Sequence, residues 1–248
     1  MSSQVQGATF RETYDRLAQA QKGVARSAPA YSRYVNRRLG RVFAAWAYGR
    51  GLTPNQVTGI SALFTFTGIG VLAATAPQWW VGLVVSLCLV VGYAFDSADG
   101  QVARLSGTGS SAGEWLDHMV DATKVAVLPL ALAVSFYRAE AMPTVWLLVP
   151  LLNAVVSSVL FFGMILTEQM RKAHGVRSTA PTGGSGPDLR ALLMTPTDYG
   201  VLCLVFLLLG AVPVFAAVYS VIVALTAAFL VAAARKWFRE ITALGRAG

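Results

Sequence analysis

The sequence predicts an all-α integral membrane protein with six transmembrane helices and an N-terminal amphipathic juxtamembrane helix. Of its 248 residues, 55% are hydrophobic and only 13% are charged, and the mean hydropathy is +0.57. This composition is typical of a protein that crosses the membrane several times. The 20 Lys and Arg residues exceed the 12 Asp and Glu residues, and they flank the apolar runs. We therefore expect membrane lipids, and no nucleic acid, as partners of the basic surface.

The N-terminal part divides into two segments. Residues 1–27 are polar and mixed in charge, and no fixed structure is predicted for them. Residues 28–50 place apolar side chains on one helical stripe and arginines on the other side; the stripe consists of Tyr31, Val35, Leu39, Val42 and Trp46, and the arginines are Arg33, Arg37 and Arg41. This pattern predicts a helix lying in the membrane interface. An ordinary amphipathic core helix is the alternative.

Residues 51–240 are expected to form the six-helix membrane domain. A threonine cap, a proline at the first helical position and a glutamine at the third mark the start of the first span at residues 53–56. Pro77, Trp79 and Trp80 suit a turn with aromatic anchors at the outer interface. The first four spans are predicted at about 53–74, 80–104, 111–136 and 143–167.

A polar, glycine-rich stretch over residues 168–194 predicts a flexible cytoplasmic loop. The fifth and sixth spans follow and divide near residues 210–213, and residues 241–248 form a C-terminal tail. Six spans place both termini on one side of the membrane. That side also carries most of the basic residues, so the positive-inside rule predicts that it is cytoplasmic.

Four aspartates lie between two long apolar runs, at Asp96, Asp99, Asp117 and Asp121. Carboxylates at membrane depth are costly and therefore indicate function by default. The first pair shares one helical face, and the second pair shares a face of the next helix. A turn rich in serine and glycine separates the two helices, and Ser111 to Glu114 has the form of a capping box from which the second helix would start.

The helical hairpin would bring the two acidic pairs face to face at similar depths. Four carboxylates held this close cannot all stay ionised without cations between them. Ligands that are all carboxylates favour hard ions, and two such ions are the usual clamp for displacement at phosphorus. Gly100 and Gly113 would let a ligand approach the backbone, and Arg104 at the mouth suits a phosphate. A single aspartate near a helix end could instead be a solvated cap.

The arrangement D-x-x-D-G-x-x-A-R, eight residues, G-x-x-x-D-x-x-x-D resembles the signature of the CDP-alcohol phosphotransferase family, also called the CDP-alcohol phosphatidyltransferase family. All eight fixed positions are present, within 26 residues from Asp96 to Asp121. The resemblance implies metal-dependent transfer of a substituted phosphate from a CDP-alcohol to an acceptor hydroxyl, with release of CMP, in phospholipid biosynthesis. It also implies two divalent cations, Mg²⁺ or Mn²⁺, and a homodimer.

The resemblance implies roles for individual residues. The four aspartates would bind the metal ions, and Asp121 would also act as general base toward the acceptor hydroxyl. The residues implied to form the CDP pocket are Asn55, Thr58, Gly100, Ala103, Arg104 and Gly113. Asn55 could equally serve only as part of a helix start. His118 would point about 100° away from Asp117 on a helix, which places it outside the immediate site.

The substrates are less clearly indicated. The short chain resembles bacterial cell-membrane enzymes that use CDP-diacylglycerol and a soluble alcohol or alcohol phosphate, with the active site facing the cytoplasm. Residues 107–118 are instead similar to the choline and ethanolamine phosphotransferase branch, in which diacylglycerol is the acceptor. Lys124 could bind a phosphorylated acceptor, but interface cations are common. A membrane ion transporter and a non-catalytic CDP-lipid-binding protein are the alternatives from other classes.

Overall fold

The computed structural model describes residues 9–20, 29–176 and 198–244 and is entirely helical over these ranges, apart from the connections. Eight α-helices are numbered in chain order: α1 Phe10–Ala20, α2 Arg37–Gly49, α3 Pro54–Ala74, α4 Trp79–Ser106, α5 Ser111–Arg138, α6 Leu148–Ala173, α7 Tyr199–Val205 and α8 Val212–Leu244. A π-helical segment, Ser32–Asn36, leads into α2. Short 3₁₀ segments precede α6 at Thr144–Leu147 and follow α7 at Phe206–Leu208.

Among the described residues, five helices are long and apolar enough to cross a membrane, in agreement with the prediction of an integral membrane protein. They are α3, α4, α5, the continuous helix Thr144–Ala173 and α8. The predicted fifth span is described only as the shorter apolar helix Tyr199–Leu208. Six spans therefore stay a prediction. Residues 177–194 of the predicted loop, most of the N-terminal segment 1–27 and the end of the tail lie outside the described residues.

The starts of α3 and α5 test the capping predictions directly. Thr53 caps α3 in a full capping box: its hydroxyl accepts from Gln56 N–H at 3.3 Å, and the Gln56 side chain accepts from Thr53 N–H at 2.9 Å. At α5, Ser111 is the first helical residue, as predicted, but the cap is Ser110. Ser110 has the extended backbone that a cap requires, and its hydroxyl accepts from Gly113 N–H at 3.1 Å. The capping box predicted at Ser111 is therefore wrong by one residue.

Helix α4 is the centre of the packing. It lies against α2, α3 and α7, while α3 also packs on α5, α5 on α6, and α6 on α8. The two helices that carry the acids, α4 and α5, are both described in full, yet they do not pack closely against each other. Helix α3 contacts both and holds them apart, which leaves room between them for polar side chains.

Two apolar clusters pack these helices together. The larger one fills the half of the bundle far from the acids and includes Leu72, Leu89, Leu132, Phe136 and Phe215. The smaller one lies beneath α2 and includes Ala44, Val57, Phe95, Ala98 and Val102. Because apolar packing supplies most of the stabilisation of a helical bundle, these clusters fix the helices that carry the polar site.

The segment predicted as an interfacial helix over residues 28–50 is helical from Ala30 to Gly49, with the π-helical segment in its first part. The Asn36 side chain donates to the carbonyl of Tyr93 in α4 at 3.2 Å. Gly40 lies so close to α4 that a β-carbon there would be 2.7 Å from Ser97 Oγ. These contacts dock the segment beside the acidic end of α4, and its location at the membrane surface stays a prediction.

Candidate functional site

The reversal between α4 and α5 places the acidic ends of both helices on one side of the molecule. Helix α4 ends at Ser106, and Gly107 adopts a left-handed backbone with φ of 66°. Gly107 N–H closes the helix by donating to the carbonyl of Ala103. A residue with a β-carbon is strained in this conformation, so glycine suits the position. Four residues later, at Ser111, α5 begins, which agrees with the reversal predicted between the two acidic pairs.

Three of the four aspartates converge. One carboxylate oxygen from each of Asp96, Asp117 and Asp121 lies within 4.8 Å of the other two. The Asp121 Oδ1 atom is buried, and its close partner is the Lys124 ammonium, whose Nζ lies 2.5 Å away. Three like charges at this distance repel one another strongly unless cations lie among them. A cluster of converging carboxylate oxygens fits a hard divalent ion such as Mg²⁺ or Mn²⁺.

The fourth acid, Asp99, is anchored beside this triad. It is buried, its Oδ2 accepts a 2.6 Å hydrogen bond from the Thr58 hydroxyl, and its Oδ1 accepts from Gly100 N–H. Thr58 lies on α3, so the contact holds the acid of α4 against the helix that separates α4 from α5. The structure therefore arranges the acids as a triad of Asp96, Asp117 and Asp121, with Asp99 next to it.

One basic side chain, Lys124, lies inside the acidic cluster, although it was not predicted there from the sequence. Lys124 on α5 is only 5% exposed, and its Nζ lies 2.5 Å from Asp121 Oδ1 and 3.4 Å from Asp96 Oδ1. The same Nζ lies over the rings of Tyr93, at 5.8 Å, and Tyr199, at 4.9 Å. The signal for Lys124 was present in the spacing, because it lies seven residues after Asp117 and three after Asp121, on the same helical face.

A cavity of about 450 Å³ opens next to the acids. All six residues predicted to form the CDP pocket line it, together with two of the acids: Asn55, Thr58, Gly100, Ala103, Arg104 and Gly113, with Asp99 and Asp117. Gly113 lies close to the opposite wall: a β-carbon there would be 3.0 Å from Asn55 Oδ1, so the Asn55 side chain would have to shift. The volume and the mixed lining are of the size and type that bind small polar ligands.

One arginine, Arg104, lines this cavity. Arg104 is exposed at the end of α4. On α2, burial lowers the pKa of Arg37, and the nearby charges of Arg104 and Arg33 lower the same pKa further, although Tyr93 opposes the shift. Arginine stays charged at any ordinary pH. The Arg104 guanidinium at the cavity, with Arg37 near it, favours an anionic ligand such as a phosphate.

A second cavity of about 680 Å³ lies between α5 and α6. Its walls are mainly apolar, with Trp115, Phe161 and Ile165, and it shares Ser111 and Glu114 with the first cavity. His118 faces this second cavity, with its ring edge-on to Phe161 at 6.2 Å and its Nε2 atom 3.9 Å from Glu114 Oε1. The expectation that His118 lies outside the acidic cluster agrees with this position.

Comparison with known families gives a match over much of the chain. The family model described as CDP-alcohol phosphatidyltransferase matches residues 51–232, which include every residue of the acidic cluster and of the first cavity. Comparison with curated proteins gave no match.

Proposed function

The chain belongs to the CDP-alcohol phosphatidyltransferase family, and on this premise we propose that it transfers a substituted phosphate from a CDP-alcohol to an acceptor hydroxyl and releases CMP. The family consists of transferases of phosphate-containing groups that act in phospholipid synthesis. The observation that carries the proposal is the position of the Asp96, Asp117 and Asp121 triad directly beside a cavity that Asn55 and Arg104 help to line.

Each residue of the site has a proposed role that follows from its position. Arg104 at the mouth would bind a phosphate of the nucleotide, and Gly100 and Gly113 would let the nucleotide approach the backbone. Thr58 holds the carboxylate of Asp99 in place through its 2.6 Å hydrogen bond. Two divalent cations, Mg²⁺ or Mn²⁺, when bound by Asp96, Asp99, Asp117 and Asp121, would neutralise the diphosphate and the charge on the leaving CMP.

Asp121 is the proposed general base. The acceptor oxygen forms a bond to the phosphorus that carries the alcohol, and the bond from that phosphorus to the CMP oxygen breaks. The electron pair of the broken bond leaves with CMP, and the hydroxyl proton passes to Asp121. Asp121 lies further along α5 from the turn than Asp117 does. The general base must reach the acceptor hydroxyl directly or through one water molecule.

CDP-diacylglycerol with a soluble alcohol or alcohol phosphate is the proposed substrate pair. Transfer from a CDP-amino alcohol to diacylglycerol is the second candidate. The apolar cavity between α5 and α6 supports a lipid reactant in either case, because it meets the nucleotide-sized cavity at Ser111 and Glu114. We also propose that the acidic side faces the cytoplasm of a bacterial cell, since the basic residues favour that side, and that the protein is a homodimer.

The decisive experiment measures CMP. Purified protein in phospholipid vesicles is incubated with labelled CDP-diacylglycerol and a panel of alcohols, amino alcohols and alcohol phosphates. A second series uses CDP-choline or CDP-ethanolamine with diacylglycerol. We expect CMP and a new phospholipid in one series only, loss of both on chelation with EDTA, and recovery on addition of Mg²⁺ or Mn²⁺.

Other results would point elsewhere. Binding of CDP-diacylglycerol without CMP release in either series would identify a non-catalytic lipid-binding protein. Ion flux across the vesicle membrane, coupled to the acidic cluster and without CMP, would favour a transporter. Transporter sites usually lie near the membrane midplane with broken helices, whereas α4 and α5 are continuous through their acidic segments.

A further inference from the structure

Lys124 is a buried cation inside a cluster of carboxylates whose chemistry fits divalent cations. A buried ammonium is costly unless it is paired. Here three helices provide for it: α4 contributes Asp96 and the ring of Tyr93, α5 contributes Asp121, and α7 contributes the ring of Tyr199. The two rings also pack edge-on, with their centroids 5.2 Å apart. The position of the ammonium is thus fixed by the fold.

The ammonium uses the same oxygens that a metal ion would need. Asp121 Oδ1 and Asp96 Oδ1 are its two ion-pair partners, and both residues belong to the triad that could hold an ion. A divalent ion in this cluster must therefore share these carboxylates with Lys124 or displace its ammonium. Repulsion between like charges at such short range is strong, even at the effective dielectric constant of a protein.

The formal charges show how the electrostatic cost of binding changes with each added metal ion. The four aspartates and Lys124 together carry minus three. One divalent ion reduces this value to minus one, and a second makes it plus one. Without Lys124, two divalent ions and four carboxylates would be neutral. The diphosphate of a CDP-alcohol adds about two negative charges. These charges offset the ammonium and favour the binding of both metal ions.

We propose that Lys124 is a resident cation that weakens divalent-ion binding to the nucleotide-free site, and thereby couples metal loading to the binding of the nucleotide diphosphate. The inference rests on the proposed function for the identity of the nucleotide. Lys124 acts here as a positioning residue, because it works through Asp96 and Asp121. By linkage, the nucleotide raises metal affinity by the same factor as the metal raises nucleotide affinity.

The test is a titration with Mn²⁺, followed by the electron paramagnetic resonance signal of the free ion, with and without CDP. CDP lacks the alcohol and supports no transfer. In the wild-type protein we expect CDP to tighten Mn²⁺ binding by about tenfold or more. In Lys124→Met we expect Mn²⁺ alone to bind about tenfold or more tightly than in the wild type, and the effect of CDP to shrink accordingly.

Matched variants separate charge from structure. Lys124→Arg keeps the charge and should behave as the wild type. Lys124→Gln keeps a hydrogen-bond donor without the charge, and it provides the same test if the methionine variant does not fold. Lys236→Met removes an exposed lysine at the far end of α8 and should leave Mn²⁺ affinity unchanged. A purely structural role predicts weaker metal binding in the neutral variants, because a disturbed cluster holds an ion less well.

The inference is overturned if neither neutral variant binds Mn²⁺ more tightly than the wild type without nucleotide, or if the wild type binds none in either condition. The titration needs no turnover, so it is independent of the transfer assay. Wild-type protein that shows the coupling but releases no CMP would contradict the proposed function and leave the role of Lys124 intact.

Discussion

The two ends of the α4 and α5 pair differ in what lies between the helices. At the end far from the acids, Val85 and Leu89 of α4 and Leu132 and Phe136 of α5 are completely buried in one apolar core. At the other end, carboxylates and the Lys124 ammonium occupy the space. The same two helices are therefore held by apolar packing at one end and by charge at the other.

This difference separates stability from function. The far end contains no acid or base of the proposed site, and its aromatic side chains pack closely: the Phe136 ring centroid lies 4.8 Å from that of Trp146 and 5.8 Å from that of Phe215. At the acidic end, a cavity and charges that repel one another replace such packing. Functional sites commonly depart from the packing rules that the rest of a fold obeys. Substitutions at the two ends should accordingly change different measured quantities.

The largest effect is expected from Asp121→Asn at the acidic end. The amide has the same shape as the carboxylate but cannot accept the hydroxyl proton, and it removes one charge from the triad. Since general base catalysis contributes about 10²- to 10⁴-fold, we expect CMP release to fall by about a thousandfold. The thermal midpoint should change little by comparison.

The control for this variant is Glu168→Gln on α6. Glu168 forms an ion pair with Arg171 at 3.6 Å, at the cytoplasmic end proposed for that helix and outside the first cavity. The same change of carboxylate to amide should leave transfer unaffected there. Transfer by Asp121→Asn at a rate near that of the wild type would rule out Asp121 as the base.

The reverse outcome is expected from Phe136→Ala at the far end. Truncation of a fully buried phenylalanine leaves a cavity and costs about 3–5 kcal/mol of unfolding free energy. We expect a large drop in the thermal midpoint, measured in detergent by the fluorescence of the tryptophans. The transfer rate per folded molecule, measured well below that midpoint, should stay within about twofold of the wild type. A loss of rate as large as that of Asp121→Asn would show that the two ends are not separable.

Much of the acidic end could be predicted from the sequence, because the relevant information is helical spacing. Residues three or four apart share a face, so the pairs formed by Asp96 with Asp99 and by Asp117 with Asp121 follow from their numbers. The family resemblance then pointed to six of the residues that line the first cavity. The threonine cap of α3 also follows from local sequence, because its hydrogen bonds join residues only three apart.

The remaining features depend on tertiary contacts that spacing does not encode. Asp99 lies beside the triad because Thr58, 41 residues earlier in the chain, donates to it. The separation of α4 from α5 depends on α3, which packs on both. The role of Lys124 was accessible from its register with Asp121, but its burial depends on Tyr199, from a distant helix. The cap of α5 fell one residue earlier than predicted because two adjacent serines both suit a cap, and backbone conformation decides between them.

The smallest effect is expected from Thr58→Val, which tests how far the position of Asp99 depends on α3. Valine has nearly the shape of threonine but cannot donate to Asp99 Oδ2, so the carboxylate loses the contact that orients it. A hydrogen bond to a charged group is worth about 1.5–3 kcal/mol, and Asp99 can recover part of this through Gly100 N–H. We expect kcat/KM for CMP release to fall by about tenfold, and Thr58→Ser, which keeps the hydroxyl, to restore most of it.

Ser61→Ala is the matched control, because Ser61 lies one turn along α3 and donates to the Gly92 carbonyl at 2.8 Å rather than to an acid. Equal losses of activity in the two variants would mean that α3 supports the site only by packing against α4, and that the contact with Asp99 has no separate role.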